Sequence, residues 1–347
     1  MNDLLTRRVP VRWMMIVSLI LLYITVVSSI TLGPMNIGFF DSLKALLPLP
    51  SDLPDYMSVI IQEVRLPRTL LAIAVGGILA MCGTVMQGLF RNPLADPGII
   101  GVSAGASLGA AIAIVLFGGV ITHTAFLVFG TVPVFAFLGG ALTTFAIYYM
   151  GTSSNGTSVT IMLLAGVALG AIAGAGMGLL NYFANDQELR DLSLWTMGSL
   201  AGASWDAILL AFVSLAILGI LFQRYAKPLN ALLLGEAEAR HLGINVQSLK
   251  RNLILLTAAG VGVTVALSGM IGFIGLVVPH IGRMLIGPDH RSLIPVSAVL
   301  GGLVLLASDM IARTIVAPLE IPVGIITAAL GAPFFLALLL KQKGRLA

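Results

Sequence analysis

Charge is what this chain has least of. Asp, Glu, Lys and Arg make up 10% of its 347 residues, where an ordinary soluble domain carries about 25%, and 58% of the residues are hydrophobic. That balance excludes a soluble globular domain. The one cysteine, Cys82, sits inside an apolar run, which excludes an intrachain disulfide and a metal site built on cysteines. No Gly-x-x-x-x-Gly-Lys-Ser/Thr loop is present, and no His-Glu-x-x-His or Cys/His ligand spacing. The chain is therefore expected to bind no ATP by a P-loop, to hold no metal or cofactor, and to have no catalytic residues. Gly174-Ala175-Gly176-Met177-Gly178 has the glycines of a dinucleotide loop but follows no strand. The apolar runs are almost free of ionisable groups: Asp206, Asp309 and Arg313 fall near run ends, and His280 follows Pro279. Ion-coupled pumps use such groups as relays, so their poverty argues against a proton- or sodium-driven carrier.

What is abundant is long apolar sequence. Ten runs recur, over 13–32, 65–88, 98–118, 126–149, 158–183, 203–222, 250–270, 271–286, 294–312 and 321–340. The eighth is short and barely separated from the seventh. About 20 apolar residues cross a hydrocarbon core about 30 Å thick. The expected fold is thus all-α: one polytopic domain, 1–347, of about ten transmembrane helices. No alternating apolar pattern points to a β-barrel. The first run is too long for a signal peptide and has no small-residue cleavage site, so a retained helix is expected.

Lys and Arg near run ends set orientation. With the N-terminus inside, fourteen of them, from Arg7, Arg8 and Arg12 to Arg345, fall on the cytoplasmic side. Five, Lys44, Arg65, Arg68, Arg190 and Arg313, fall outside. Both termini are expected in the cytoplasm. The formal net charge of +4 then follows from topology and calls for no nucleic acid. Asn155-Gly156-Thr157 matches a glycosylation sequon but falls on the cytoplasmic side of this topology.

Three segments interrupt the pattern. The outside loop from Gly33 to Val64 carries Pro34, Pro48, Pro50 and Pro54, with one amphipathic helix expected near Phe39 to Leu47. Asn92 to Ser107 breaks helix continuity with two prolines and three glycines; broken backbone at membrane depth must face protein or a cavity. Pro228 to Ser248 is a compact charged segment between apolar runs, the kind of loop a membrane protein hands to a soluble partner. Separately, Gly166, Gly170, Gly174 and Gly178 recur every four residues in the fifth run, and Gly101, Gly105 and Gly109 in the third. Such spacing lets helices approach closely, and serves either tight packing or the wall of a pathway or dimer seam.

Four motifs then stand in order. They are Arg65-Leu66-Pro67-Arg68; Gln87-Gly88-Leu89-Phe90-Arg91-Asn92-Pro93-Leu94-Ala95-Asp96-Pro97; Gly272 to Arg283 with Asp289-His290-Arg291; and Glu320-Ile321-Pro322-Val323-Gly324 through Gly331-Ala332-Pro333-Phe334. Together with ten runs they resemble the FecCD permeases, the membrane subunits of type II ABC importers for iron–siderophore complexes, haem and cobalamin. The resemblance covers residues from about 60 to 340.

It implies a homodimer in the bacterial inner membrane, two cytosolic ATPase subunits that bind ATP and Mg, and one periplasmic binding protein. It implies that Glu236, Ala237, Glu238, Ala239, Arg240, Leu242 and Gly243 form the helix that docks on the ATPase. It also implies that Arg65, Arg68 and Arg313 receive acidic residues of the binding protein, unless they pair instead with Glu63, Asp309 or Glu320. Gly170, Gly174, Met177, Gly178 and Met197 are candidates for lining the path. The stretch Asn181 to Trp205 is most similar to the haem-importing branch, so haem is the expected cargo, with an iron–siderophore or cobalamin as the alternative. An ion-driven secondary transporter is the reading from another class. His123, His280 and the methionines are expected to be structural before they are ligands.

Overall fold

The computed structural model describes residues 9–33, 35, 37–46, 54–117, 130–153 and 156–343. Arg7, Arg8, Pro34, Pro48, Pro50, His123, Asn155 and Arg345, each given a side or a role above, lie outside the described residues, as do the side chains of Lys341 and Lys343.

The order of elements is α1 (Val11–Thr31), α2 (Phe39–Leu46), α3 (Asp55–Val59) running through a π-helical turn (Ile60–Arg65) into α4 (Leu66–Leu89), a 3-10 turn (Pro97–Ile100), α5 (Val102–Phe117) and α6 (Thr131–Gly151). A two-residue hairpin, β1 (Thr152–Ser153) and β2 (Gly156–Thr157), leads to α7 (Val159–Phe183). Then come α8 (Asp186–Thr196), α9 (Trp205–Leu232), α10 (Glu236–His241), α11 (Val246–Ser268), α12 (Ile274–Ile286), α13 (His290–Thr314) and α14 (Val323–Lys343). Among the described residues eight helices are long and apolar enough to cross a membrane, and α5 and α12 are shorter apolar helices. These account for all ten runs. Two departures are large: the helix leading into α4 begins at Asp55, ten residues before the expected start, and α9 continues ten residues past the expected end. Pro228 lies inside it, so the charged loop proper starts only after Leu232.

Local sequence fixes where helices begin. Ser158, Ser204, Asn245 and Asp289 each accept a backbone N–H at the start of α7, α9, α11 and α13, replacing bonds the first turn lacks. Asn185 and Glu188 make a reciprocal capping box at α8.

The core is built around α4, which packs against α13, α9, α11 and α12. Gly83 and Gly76 permit this. A Cβ on Gly83 would collide with the Gly275 carbonyl of α12, and one on Gly76 with the Gly301 carbonyl of α13. α5 pairs with α6, α7 lies on α5 and α6, and α14 rests on α12 and α13. The two ends of the bundle differ. One carries α10, the β-hairpin and the α12–α13 turn; the other carries α2, α8 and the α13–α14 loop.

Candidate functional site

Two interrupted helices meet at one cavity. α5 starts late because Asn92 to Gly101 forms turns: Asp96 accepts the Gly98 N–H at 2.7 Å, Pro97 opens the 3-10 turn, and Gly101 is left-handed (φ 79°). α12 starts late because Gly269 (φ 66°) and Phe273 (φ 68°) bend the chain between α11 and α12. Thirteen residues of α12 rise only about 20 Å, so α12 does not cross alone. The two broken stretches face each other across a cavity of about 390 Å³ lined by Asp96, Pro97, Gly98, Met197, Gly269, Met270 and Gly272, with Thr264 and Ser268 of α11 and Gly324 of α14. The expectation that broken backbone faces an interior cavity is met. Burial raises the Asp96 carboxyl above its ordinary value, against the Gly98 hydrogen bond.

At the α8 end a wider cavity, about 830 Å³, is lined by Asn185, Gln187, Glu188, Asp191 and Trp195 of the haem-like stretch, with Thr131 and Ser268. Its volume falls within the range of about 300–1,000 Å³ typical of ligand pockets.

At the opposite end stands α10. Ala237, Glu238, Arg240, His241, Leu242 and Gly243 are exposed, and Leu234 just before it is exposed too. Two expected docking residues are placed otherwise. Ala239 is fully buried against the bundle, where its small side chain lets the helix lie flat. Glu236 is half-buried, 2.7 Å from the buried ammonium of Lys250 and 3.7 Å from Arg240. Lys250, which lies beside α10, has no site role in the sequence reading. No local spacing marks it: Lys250 meets its carboxylate partner across fourteen residues.

The three arginines of the α2 end are not presented to solvent. Arg65, Arg68 and Arg313 are 3%, 6% and 2% exposed. Arg65 donates to the carbonyls of Ile30 and Thr31 at 2.8 Å each and to that of Met35, closing the end of α1. Arg68 lies 2.8 Å from Asp309 and 2.6 Å from Glu320. Arg313 donates to the Ser29 carbonyl and hydroxyl at 2.8 and 2.6 Å and sits 3.6 Å from Asp309. Two of the pairings weighed from sequence, Asp309 and Glu320, are therefore made; Glu63 joins none of these contacts. Asp309 is fully buried, whereas the Glu320 side chain is 38% exposed at the rim.

The pathway candidates are not brought together within one chain. Met197 lines the inner cavity, and Met177 packs on the cluster of Ala111, Ile114 and Leu192. Gly170, Gly174 and Gly178 face open space. His280 lies edge-on to Phe334, ring centroids 6.1 Å apart, and among the described residues no group of His, Cys, Asp and Glu could hold a metal.

A bundle of apolar helices with interrupted members around a cavity and an exposed polar helix at one end defines a multi-pass membrane transport subunit. The chain belongs to the FecCD transport family, whose pattern matches residues 21–341. It is 44% identical over 339 residues to the hemin transport system permease protein HmuU of Yersinia pestis, covering 97% of this chain and 98% of that one. It is 41% identical over 298 residues to the cobalamin import system permease protein BtuC of Halobacterium salinarum, covering 86% and 78%. A solved metal-chelate type ABC transporter in an inward-facing conformation superposes with a TM-score of 0.80 at 33% identity, covering 96% of this chain and 100% of that one. The chain is an ABC importer permease of the FecCD type, a transport component.

Proposed function

We propose that this permease moves haem across the bacterial inner membrane, inward, as a homodimer served by two cytosolic ATPase subunits and a periplasmic binding protein. The observation that carries the cargo is the 44% identity to a hemin permease over nearly the whole of both chains. The fold of Asn185 to Trp195 as the acidic wall of the 830 Å³ cavity is in keeping with it. The α10 end faces the cytoplasm, because the excess of Lys and Arg lies there, and both termini lie on that side. ATP and Mg are held by the partner; α10 receives its motion through Ala237, Glu238, Arg240, Leu242 and Gly243, with Leu234 as an apolar anchor. The open faces of Gly170, Gly174 and Gly178 meet those of a second copy, so that α7 lines the axis of the dimer.

On this reading the binding protein docks at the α2 end. Arg65, Arg68 and Arg313 form a positive base beneath that surface. Glu320, at the rim on Arg68, is the carboxylate an incoming acidic side chain would replace.

Uptake into proteoliposomes with the ATPase and binding protein decides the cargo. Haem is expected to accumulate only with ATP. Uptake of cyanocobalamin or a ferric siderophore instead keeps the machine and discards haem. Uptake of any of them that persists without the ATPase, and is abolished by an ionophore, overturns the importer in favour of an ion-driven carrier.

A further inference from the structure

One buried ammonium joins two parts of the chain that lie far apart in sequence. Lys250, in α11, is 4% exposed. Its Nζ lies 2.7 Å from Glu236 Oε1, the first residue of α10, and donates to the Thr157 carbonyl at 3.2 Å. Less than one turn away, Gln247 Oε1 accepts the Thr157 N–H at 2.9 Å. Gly156 (φ 113°) lies against the Gln247 amide, leaving no room there for a side chain. Both backbone polar groups of Thr157 are thus held by α11, and Thr157 is two residues before Val159, where α7 starts. A buried ammonium is costly unless it is paired, and simple packing of α10 requires none.

We propose that Lys250 is a positioning residue that makes α10, the β-hairpin and the start of α7 move as one body, so that displacement of α10 is delivered to α7. α7 suits this role, since only 17% of its apolar window is buried and its packing within the chain is confined to α5, α6 and the Pro97–Ile100 turn among its larger contacts. The route consists of packed and hydrogen-bonded contacts with no flexible link. This inference rests on the reading of α10 as the contact with the ATPase.

The test has two readouts. Spin labels at A237C and T160C report the distance from α10 to the start of α7; Cys82, fully buried, does not compete for label. In the wild-type background a single narrow distance distribution is expected in the permease alone, before any ATPase is added. Lys250→Met broadens it. In the full complex the same variant lowers haem or cyanocobalamin taken up per ATP hydrolysed by about tenfold, within the range of ordinary coupling energies, while ATP hydrolysis itself continues. The reversed pair, Glu236→Lys with Lys250→Glu, restores the ion pair but offers Thr157 no donor, so uptake per ATP stays low.

A Lys250→Met protein with wild-type width and wild-type uptake per ATP overturns the proposal, and full recovery in the reversed pair removes the hairpin from it. If Lys250→Met does not assemble, Gln247→Leu should broaden the same distance, and an unchanged width there also overturns it. A wild type that takes up neither probe overturns the importer reading, while the label distances still decide this one.

Discussion

α4 and α7 are the same helix by hydropathy and opposites in the fold. Both have apolar windows of mean hydropathy 2.1, yet in the span that ends with α4 89% of that window is buried within the chain and in α7 17%. Both carry glycines at helical spacing. Gly76 and Gly83 of α4 lie against the backbones of α13 and α12, and Gly170, Gly174 and Gly178 of α7 touch nothing. In water the exposed helix would have to be polar on its outer face. In a bilayer no such signal exists, because lipid tails are as apolar as leucine. Glycine spacing therefore marks a close helix contact without saying whether the partner is in the same chain.

The sharpest way to break the comparison is to fill the glycines. Gly83→Val places a side chain against the Gly275 carbonyl, where backbone must move. Overpacking costs about 1–3 kcal/mol and more where backbone is displaced, so this variant is expected to yield no monodisperse protein after detergent extraction. Asp309→Asn comes next. It leaves Arg68 and Arg313 without their fully buried carboxylate, a change that costs about 3–5 kcal/mol. Thermal unfolding in detergent should show a large drop, and a smaller one for Glu320→Gln, since Glu320 is the exposed partner of Arg68 alone.

That difference between carboxylates shows what the sequence could and could not disclose. The ten apolar runs, the break after Asn92, the helix near Phe39 and the polar α10 are local properties of composition and turn chemistry, and they are legible. Which residues face inward is not. Arg65, Arg68 and Arg313 stand out as cations on the wrong side of the charge rule, but a ledger of charge cannot tell an exposed arginine from one held by Asp309 across 241 residues of chain. Ala239 reads as part of an exposed helix; only the packing of α10 on the bundle buries it, and only the fold brings Glu236 to Lys250. The cavity between the broken stretches joins residues from Leu79 to Ala328, and no sequence window spans it.

Gly174→Leu sharpens the comparison from the α7 side. Nothing within the chain contacts that glycine, so the stability of the monomer should change by no more than about 0.5 kcal/mol. If α7 is the seam of the proposed homodimer, the same variant loses the dimer mass in native mass spectrometry. A dimer that survives it moves the seam elsewhere, and the glycines of α7 then have the same bland role as those of α4.

The smallest effect should come from Asp289, the exposed counterpart of Asp309. Its carboxyl is pulled from 3.8 to about 2, first by its hydrogen bonds to Arg291, with help from Asn230 and the Arg291 N–H. A carboxyl depressed in the folded state stabilises fully above its ordinary value and loses that contribution as pH falls through 3.8 toward 2. Asp289→Asn should therefore lower Tm slightly at pH 7 and flatten the loss of Tm between about pH 4 and 2. The side chain is 41% exposed, so solvent screens the Arg291 pair, and asparagine can still cap α13. A drop at pH 7 approaching that of Asp309→Asn would mean that Asp289 anchors the α9–α13 junction through Asn230, and that burial is not what separates the two carboxylates.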